Sequence, residues 1–279
     1  MMTTKRPSTV AFDLGRIERE SFVRQIVFHR VLASTNDLAL ELAAKERVLT
    51  PLLVLAEKQT AGRGRGSNRW WSRSGAITFS LVIDAASLHL QSGHWPRVSL
   101  TAAVAVCRVL EPLVPHIPCG IRWPNDVFMA SRKVCGILPE LLTQHDPSEN
   151  PNVVCSVPSC LVLGVGINVN NPLQAAPPDV RAVGTSLFDL TGELRDLSDF
   201  LIQVLRELSN GLDALATGNR ELANAWSQRC MLQGRMVELK VGPRRVRGLC
   251  QGVDSEGALV LQNQRGTERF FGGLIVSVE

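Results

Sequence analysis

The chain changes character at Cys230. Behind it, short runs of β-type residues follow one another at 235–240, 244–252, 258–262, 268–271 and 274–278. Asp254-Ser255-Glu256-Gly257 is a turn between two of them. Roughly 45 residues of closely spaced strands, with no helix among them, predict a small SH3-like β barrel. Ahead of Cys230 the pattern is mixed. Strands are expected at 26–32, 52–56, 76–83, 121–123, 133–142 and 161–169. Helices are expected at 36–47, 99–110, 196–215 and 220–230, the second ended by Pro112 and Pro115. The Pro/Ser/Asn-rich stretch 144–159 reads as a hairpin loop. An α/β or α+β unit followed by a small β unit also suits a length of 279 residues, about two average domains.

Several classes of protein are disfavoured from the start. Residues 1 to about 20 carry Lys5, Arg6, Arg16 and Arg19 but no apolar run of signal-peptide length. They read as a loosely ordered arm. No later stretch is long and apolar enough to span a bilayer, so a cytoplasmic protein without a membrane partner is expected. The seven Cys are odd in number and contain no C-x-x-C pair, which suits reduced, mostly buried thiols. The five His sit near no Cys at zinc-ligand spacing, so no metal site is expected. The absence of Tyr argues against a sugar groove or an RNA face built on Tyr stacking.

The net charge is only +4. From Lys58 to Arg73, however, Lys58, Arg63, Arg65, Arg69 and Arg73 stand with no acid among them. The excess is therefore local, in a loop whose glycines at 62, 64 and 66 let the backbone approach a ligand closely. Backbone N–H groups and guanidinium forks suit phosphate or carboxylate oxygens. No Gly-Lys-[Ser/Thr] follows, so this is not a P-loop, and G-x-G-x-G is not the dinucleotide fingerprint. An anionic small ligand, a nucleic acid and a merely solvated loop all stay open on composition alone.

Three further segments carry chemistry. In Arg122-Trp123-Pro124-Asn125-Asp126, Pro-Asn-Asp is a turn signal. Lys133 opens the apolar strand 134–138, where an ammonium wants an anionic partner. Gly164 and Gly166 interrupt another apolar strand, either to admit a ligand or to pack. Ser34-Thr35-Asn36 is fully explained by helix capping and could also touch a ligand.

Their order and spacing say more than any one of them. Ser34-Thr35-Asn36, then Gln59-Thr60-Ala61-Gly62-Arg63-Gly64-Arg65 with Trp70, then Trp123-Pro124-Asn125-Asp126, then Lys133-x-x-Gly136-Ile137-Leu138, then Gly164-x-Gly166-Ile167-Asn168, resembles the biotin protein ligases. The small β unit at the end fits the same family. The resemblance runs from about Ile26 to the C-terminus. It implies an α+β fold: a mixed-sheet catalytic domain of the biotin/lipoate ligase type at 22–231, behind an arm at 1–21, and an SH3-like β barrel at 232–279.

The resemblance also implies a two-step reaction. Biotin and ATP, the latter with Mg2+, give biotinyl-5′-adenylate and pyrophosphate. A lysine of a biotin carboxyl carrier protein or domain then takes the biotinyl group. Carried over, Lys133 and Arg65 are the catalytic cations. Ser34, Thr35, Asn36, Gln59, Arg63, Gly64, Trp70, Gly136, Gly164 and Gly166 bind biotin or the adenylate. Asn125, Asp126 and Asn168 are candidates for catalysis or positioning. After Arg65 the sequence reads Gly66-Ser67-Asn68-Arg69 where many bacterial members have Arg-Gly-Arg. Only 33 residues precede Ser34, so the winged-helix DNA-binding domain of some members is not expected, nor a DNA partner. Two rival readings remain: a lipoate- or octanoate-transferring enzyme, and a nucleic-acid-binding module using the basic loop and the β unit.

Overall fold

A computed structural model describes residues 12–45, 48–88, 95–144 and 157–279. Two sheets carry the fold. The larger has seven strands: β1 (Gln25–Leu32), β2 (Leu52–Gln59), β3 (Ala76–Asp84), β4 (Cys119–Arg122), β5 (Asp126–Met129), β6 (Arg132–Gln144) and β7 (Val157–Asn168). Their order is β1-β2-β3-β7-β6-β5-β4. Only β1 and β2 run parallel; the other neighbours are antiparallel. This is the mixed sheet the family resemblance implies.

Both faces of the central strands are apolar because both are covered, as their near-continuous hydrophobic runs require. One face meets the helix α2 (Thr35–Lys45), whose Ala39 and Ala43 pack on Leu52, Val54, Val82 and Val162. On the other face lie α3 (Trp95–Leu110) and α6 (Leu197–Ala216). In α6 the buried positions Leu197, Leu201, Val204, Leu208, Leu212 and Leu215 recur every three to four residues, one stripe of a helix. Asp196 caps it by accepting from the N–H groups of Ser198 and Asp199. Thr101 of α3 packs against Gly211 so closely that a Cβ there would lie 2.8 Å from its Cγ2. Three shorter helices, α4 (Pro178–Val183), α5 (Leu187–Thr191) and α7 (Arg220–Gln228), complete this part.

Two expectations need correction. Residues 14–20 are not a loose arm. They form the helix α1 (Leu14–Glu20), with Ile17 fully buried and Arg16 bonded to Glu20. The sequence lacks an apolar run here because one buried side chain per two turns suffices to hold so short a helix; residues 1–11 lie outside the described residues. The hairpin loop is also shorter than expected, since β6 continues to Gln144 and β7 begins at Val157; the rest of that stretch lies outside the described residues.

The small β unit is a five-stranded antiparallel sheet. Its strands are β8 (Met236–Val241), β9 (Arg244–Val253), β10 (Leu259–Asn263), β11 (Gly266–Phe270) and β12 (Leu274–Val278). They lie in the order β11-β10-β9-β8-β12. Val237, Leu239, Val246, Leu259 and Leu261 belong to the same hydrophobic core as α3 and the large sheet. Two buried indoles join the parts: Trp123 Nε1–H donates to the Gly257 carbonyl at 3.0 Å and Trp226 Nε1–H to that of Asp254 at 3.1 Å. Within the large part, the Ile121 N–H donates to the Arg229 carbonyl at 2.7 Å and ties β4 to the end of α7. The six described cysteines are all free thiols; Cys155 lies outside the described residues. No described helix is long and apolar enough to cross a membrane.

Candidate active site

A cavity of about 690 Å³ opens between the large sheet, the Gly/Arg loop and the C-terminal sheet. Its floor is a ladder of glycines. Gly136 on β6 pairs with Gly166 on β7, and Leu138 pairs with Gly164. Glycine is required here because other side chains lie on the strands. A Cβ at 164 would come within 2.1 Å of Asn36 Oδ1, and one at 166 within 2.3 Å of Trp70 Cε2.

One end of the cavity is polar and closed. Thr35 and Asn36 start α2, and both are buried. Gln59 Oε1 accepts from the Thr35 backbone N–H at 2.7 Å and from its hydroxyl at 3.0 Å. Ser80 Oγ, fully buried on β3, lies 2.8 Å from Thr35 Oγ1 and 2.5 Å from Asn36 Oδ1. Asn36 Nδ2 donates to Glu140 Oε2 at 2.7 Å and to the Leu138 carbonyl at 3.2 Å. Both its amide hydrogens are thus used, and Oδ1 is the atom turned toward Gly164. Three O···O contacts, among Gln59, Thr35, Ser80 and Asn36, have two hydroxyl hydrogens between them. The cluster is rich in acceptors and short of donors. Ser34 Oγ accepts from the Asp37 N–H at 3.3 Å, so it caps α2 while lining the cavity.

The basic loop is a small hairpin. Trp70 N–H donates to the Gly62 carbonyl at 2.9 Å, and Gly64 N–H to that of Asn68 at 2.8 Å. Arg63 and Arg65 are each held by partners. Arg63 makes a fork with Glu140, at 2.9 and 2.5 Å, and reaches Asp37 at 2.7 Å. The hydrogen bonds to Glu140 hold its guanidinium pKa above the ordinary arginine value. Arg65 turns the other way and donates to the Gly273 carbonyl on the C-terminal sheet at 2.7 Å. Desolvation of the guanidinium lowers its pKa, with nearby Asp126 working against that.

Lys133 has the anionic partner that its place on an apolar strand demands. Its Nζ lies 2.7 Å from Asp126 Oδ1 and 5.9 Å from the centre of the Trp70 ring. Trp70 lies flat on the glycine floor, and its buried Nε1–H has no hydrogen-bond partner. The turn ahead of β5 is pinned by Asn125, whose Nδ2 donates to the Ile137 carbonyl at 2.7 Å.

The structure therefore gathers nearly all the expected residues. Ser34, Thr35, Asn36, Gln59, Arg63, Gly64, Arg65, Trp70, Asn125, Asp126, Lys133, Gly136, Gly164 and Gly166 all line the cavity. Asn168 does not. Its side chain is buried between the Thr185 carbonyl and Asn171, where it ties the end of β7 to the following loop. Sequence reasoning missed Glu140, Asp37 and Ser80. Glu140 left a signal, an acid inside an otherwise apolar strand. It also missed Lys240, Gly242 and Gly273, which the C-terminal sheet brings to the cavity. Away from the cavity, Cys107, Glu111 and Cys119 place ligand-type atoms within 4.8 Å of one another, but Arg229 holds both Glu111 oxygens at 2.8 Å.

Comparison with known proteins converges on one family. Residues 27–156 match the Biotin/lipoate A/B protein ligase family. The chain is 31% identical over 242 residues to a biotin–[acetyl-CoA-carboxylase] ligase of Mycobacterium tuberculosis, covering 85% of this chain and 83% of that one. It is 30% identical to the enzyme of the same name from Paracoccus denitrificans, over 86% of this chain and 98% of that one. The fold is that of the biotin protein ligase of Aquifex aeolicus solved with biotin and ATP, at a TM-score of 0.75 and 24% identity, covering 92% and 99% of the two chains. With its expected motifs gathered in one cavity and near a third of its residues shared with two named ligases over most of their length, the chain belongs to the biotin–[acetyl-CoA-carboxylase] ligase family of biotin protein ligases.

Proposed function

We propose that the chain activates biotin with ATP and transfers the biotinyl group to a lysine of a biotin carboxyl carrier protein or carrier domain. The observation that carries this reading is the joining, in one cavity, of a donor-poor polar end and a cationic end. The ureido ring of biotin presents two N–H groups and one C=O. The acceptor cluster of Thr35, Asn36, Gln59 and Ser80 suits those N–H groups. A site built around such bonds rejects analogues that lack them by large factors.

At the other end the chemistry is repulsive. The carboxylate of biotin must attack the α-phosphorus of ATP, an anion approaching an anion. A carboxylate oxygen–phosphorus bond forms, the bond from that phosphorus to the bridging oxygen breaks, and pyrophosphate leaves with the electron pair. Lys133 and Arg65 offset the charge where it gathers. Trp70 covers the site and keeps water from the mixed anhydride. In the second step a lysine amine attacks the acyl carbon and AMP leaves. Among the described residues Asp126 is the one carboxylate lining the cavity, and it is the candidate to accept a proton from that amine. It is also the residue that would hold magnesium beside the phosphates, where the ion would supply further charge neutralisation. Residues 22–231 are read as the catalytic domain and 232–279 as a β domain that closes its cavity.

A lipoate ligase is the rival from the same family model. Its dithiolane ring has no N–H donors for the acceptor cluster, which favours biotin. Pyrophosphate exchange into ATP, with biotin or lipoate as the acid, decides between them. Biotin-dependent exchange is expected; exchange with lipoate alone would overturn the reading.

A further inference from the structure

Among the described residues, six cationic residues line the cavity, against the single acid Asp126. Most are already engaged. Arg63 is held by Glu140 and Asp37, Lys133 by Asp126, and Arg65 by the Gly273 carbonyl, while Arg122 lies over the Phe128 ring. Arg69 and Lys240 are different: both are exposed, and neither side chain has a partner among the described residues. Arg69 belongs to the Gly/Arg loop itself, whereas Lys240 comes from the C-terminal sheet.

Its position is set by the pairing of β8 with β12, in which Lys240 lies opposite Leu274. The residue before Leu274 is Gly273. Lys240 therefore flanks the carbonyl that Arg65 grasps, and a Cβ on Gly273 would come within 3.1 Å of the Lys240 carbonyl oxygen. The neighbouring cation on β9, Arg245, is neutralised by Glu238 at 2.7 Å, so Lys240 is the cation this sheet edge offers the cavity. Lys133 and Asp126 are thus linked to Arg65, and Arg65 through the Gly273 carbonyl to the strand position of Lys240.

That linkage matches the charges of the reaction. The carboxylate and the α-phosphate meet near Lys133 and Arg65. The rest of the triphosphate, carrying most of the nucleotide's charge, must extend beyond them. We infer that Lys240 binds the β- and γ-phosphates of ATP and the pyrophosphate they become. This rests on the ligase reading above. As the bond from the α-phosphorus to the bridging oxygen breaks, negative charge grows on the departing pyrophosphate. A cation fixed there gains more in the transition state than in the ground state.

Two measurements on the full chain test this, with Lys240→Ala and Lys240→Arg. In calorimetric titration with inorganic pyrophosphate, Lys240→Ala should bind about tenfold more weakly and Lys240→Arg nearly as well as the parent. In kinetics, Lys240→Ala should raise the KM for ATP about tenfold and slow adenylate formation at saturating ATP, leaving the KM for biotin and the transfer of biotin from supplied biotinyl-adenylate unchanged. Equal pyrophosphate affinity in parent and Lys240→Ala overturns the inference. So does an equal loss in both half-reactions, the mark of a structural role. If the parent shows no biotin-dependent chemistry, the ligase reading fails, and the pyrophosphate titration still decides the role of Lys240.

Discussion

Arg63 and Glu140 meet fork to fork, at 2.9 and 2.5 Å, and the same Glu140 carboxylate takes an amide hydrogen of Asn36 at 2.7 Å. One acid thus fixes a loop cation and the orientation of a pocket amide. Replacing Glu140 with Ala should leave Arg63 half-paired and let the Asn36 amide turn. Biotin affinity should fall by about 10–100-fold, as expected for losing charged hydrogen bonds of about 1.5–3 kcal/mol. Calorimetric titration with biotin checks this, and unchanged affinity would show that the acid has no part in shaping the pocket.

Lys133→Ala removes the cation beside Asp126 and the Trp70 ring. Adenylate formation should drop by about 10²–10³, the usual loss for one electrostatic donor in a shielded site. Lys133→Arg should not restore it, since the longer, planar guanidinium spreads its charge and cannot set it at the point the ammonium holds beside Asp126. Single-turnover formation of biotinyl-adenylate is the measurement; a wild-type rate in either variant contradicts the assigned role.

Gly164→Ala puts a methyl where Asn36 Oδ1 now lies, and Gly166→Ala puts one into the Trp70 ring. Each should cost about 1–3 kcal/mol of stability by overpacking. Gly164→Ala should also lose most biotin binding. Gly166→Ala should expel the indole and shift its fluorescence to the red. Denaturant melts and emission spectra read the two effects separately.

Cys230, half-buried after α7, has its thiol pKa lowered from an ordinary 9 to about 7. The hydrogen bond from Cys250 is the largest cause, with the backbone N–H groups of Leu232 and Gln233 helping once burial is overcome. Alkylation of Cys230 should therefore reach half its maximal rate near pH 7, read by peptide mass spectrometry. A midpoint near 9 would refute the pairing. A depressed folded-state pKa favours the fold above the unfolded value near 9, and that stabilisation is lost as pH falls through 7. Cys250 is shifted upward by the same pairing and by burial, so it opposes further gain above 9.

The cavity was largely legible because its residues sit in short motifs whose types report their chemistry. Lys133 at the head of an apolar strand announced a partner, and Asp126 is that partner. Glycines 136, 164 and 166 announced close approach, and Trp70 and Asn36 are what approach. The misses share a cause: a contact between distant segments leaves no local pattern. The acid at Glu140 stands out in its apolar strand, but nothing local names its partner, Arg63, 77 positions away. Lys240 and Gly273 were unreadable as cavity residues until the fold brought two sheets together. Asn168 failed in the opposite way, because an asparagine after two strand glycines looks the same whether it faces a ligand or ties down a loop.

The buried indoles of Trp123 and Trp226 have a practical corollary. Each is anchored by a carbonyl of the β9–β10 turn. Cutting the chain after Leu232 would bare both rings and strip Trp123 of its anchor two residues before Asn125. A trimmed enzyme would not be a smaller ligase but an aggregation-prone fragment with a distorted nucleotide end. Reporter fusions and split-protein designs on this scaffold therefore need their breakpoints elsewhere, with 264–265, the exposed turn between β10 and β11, the better insertion point.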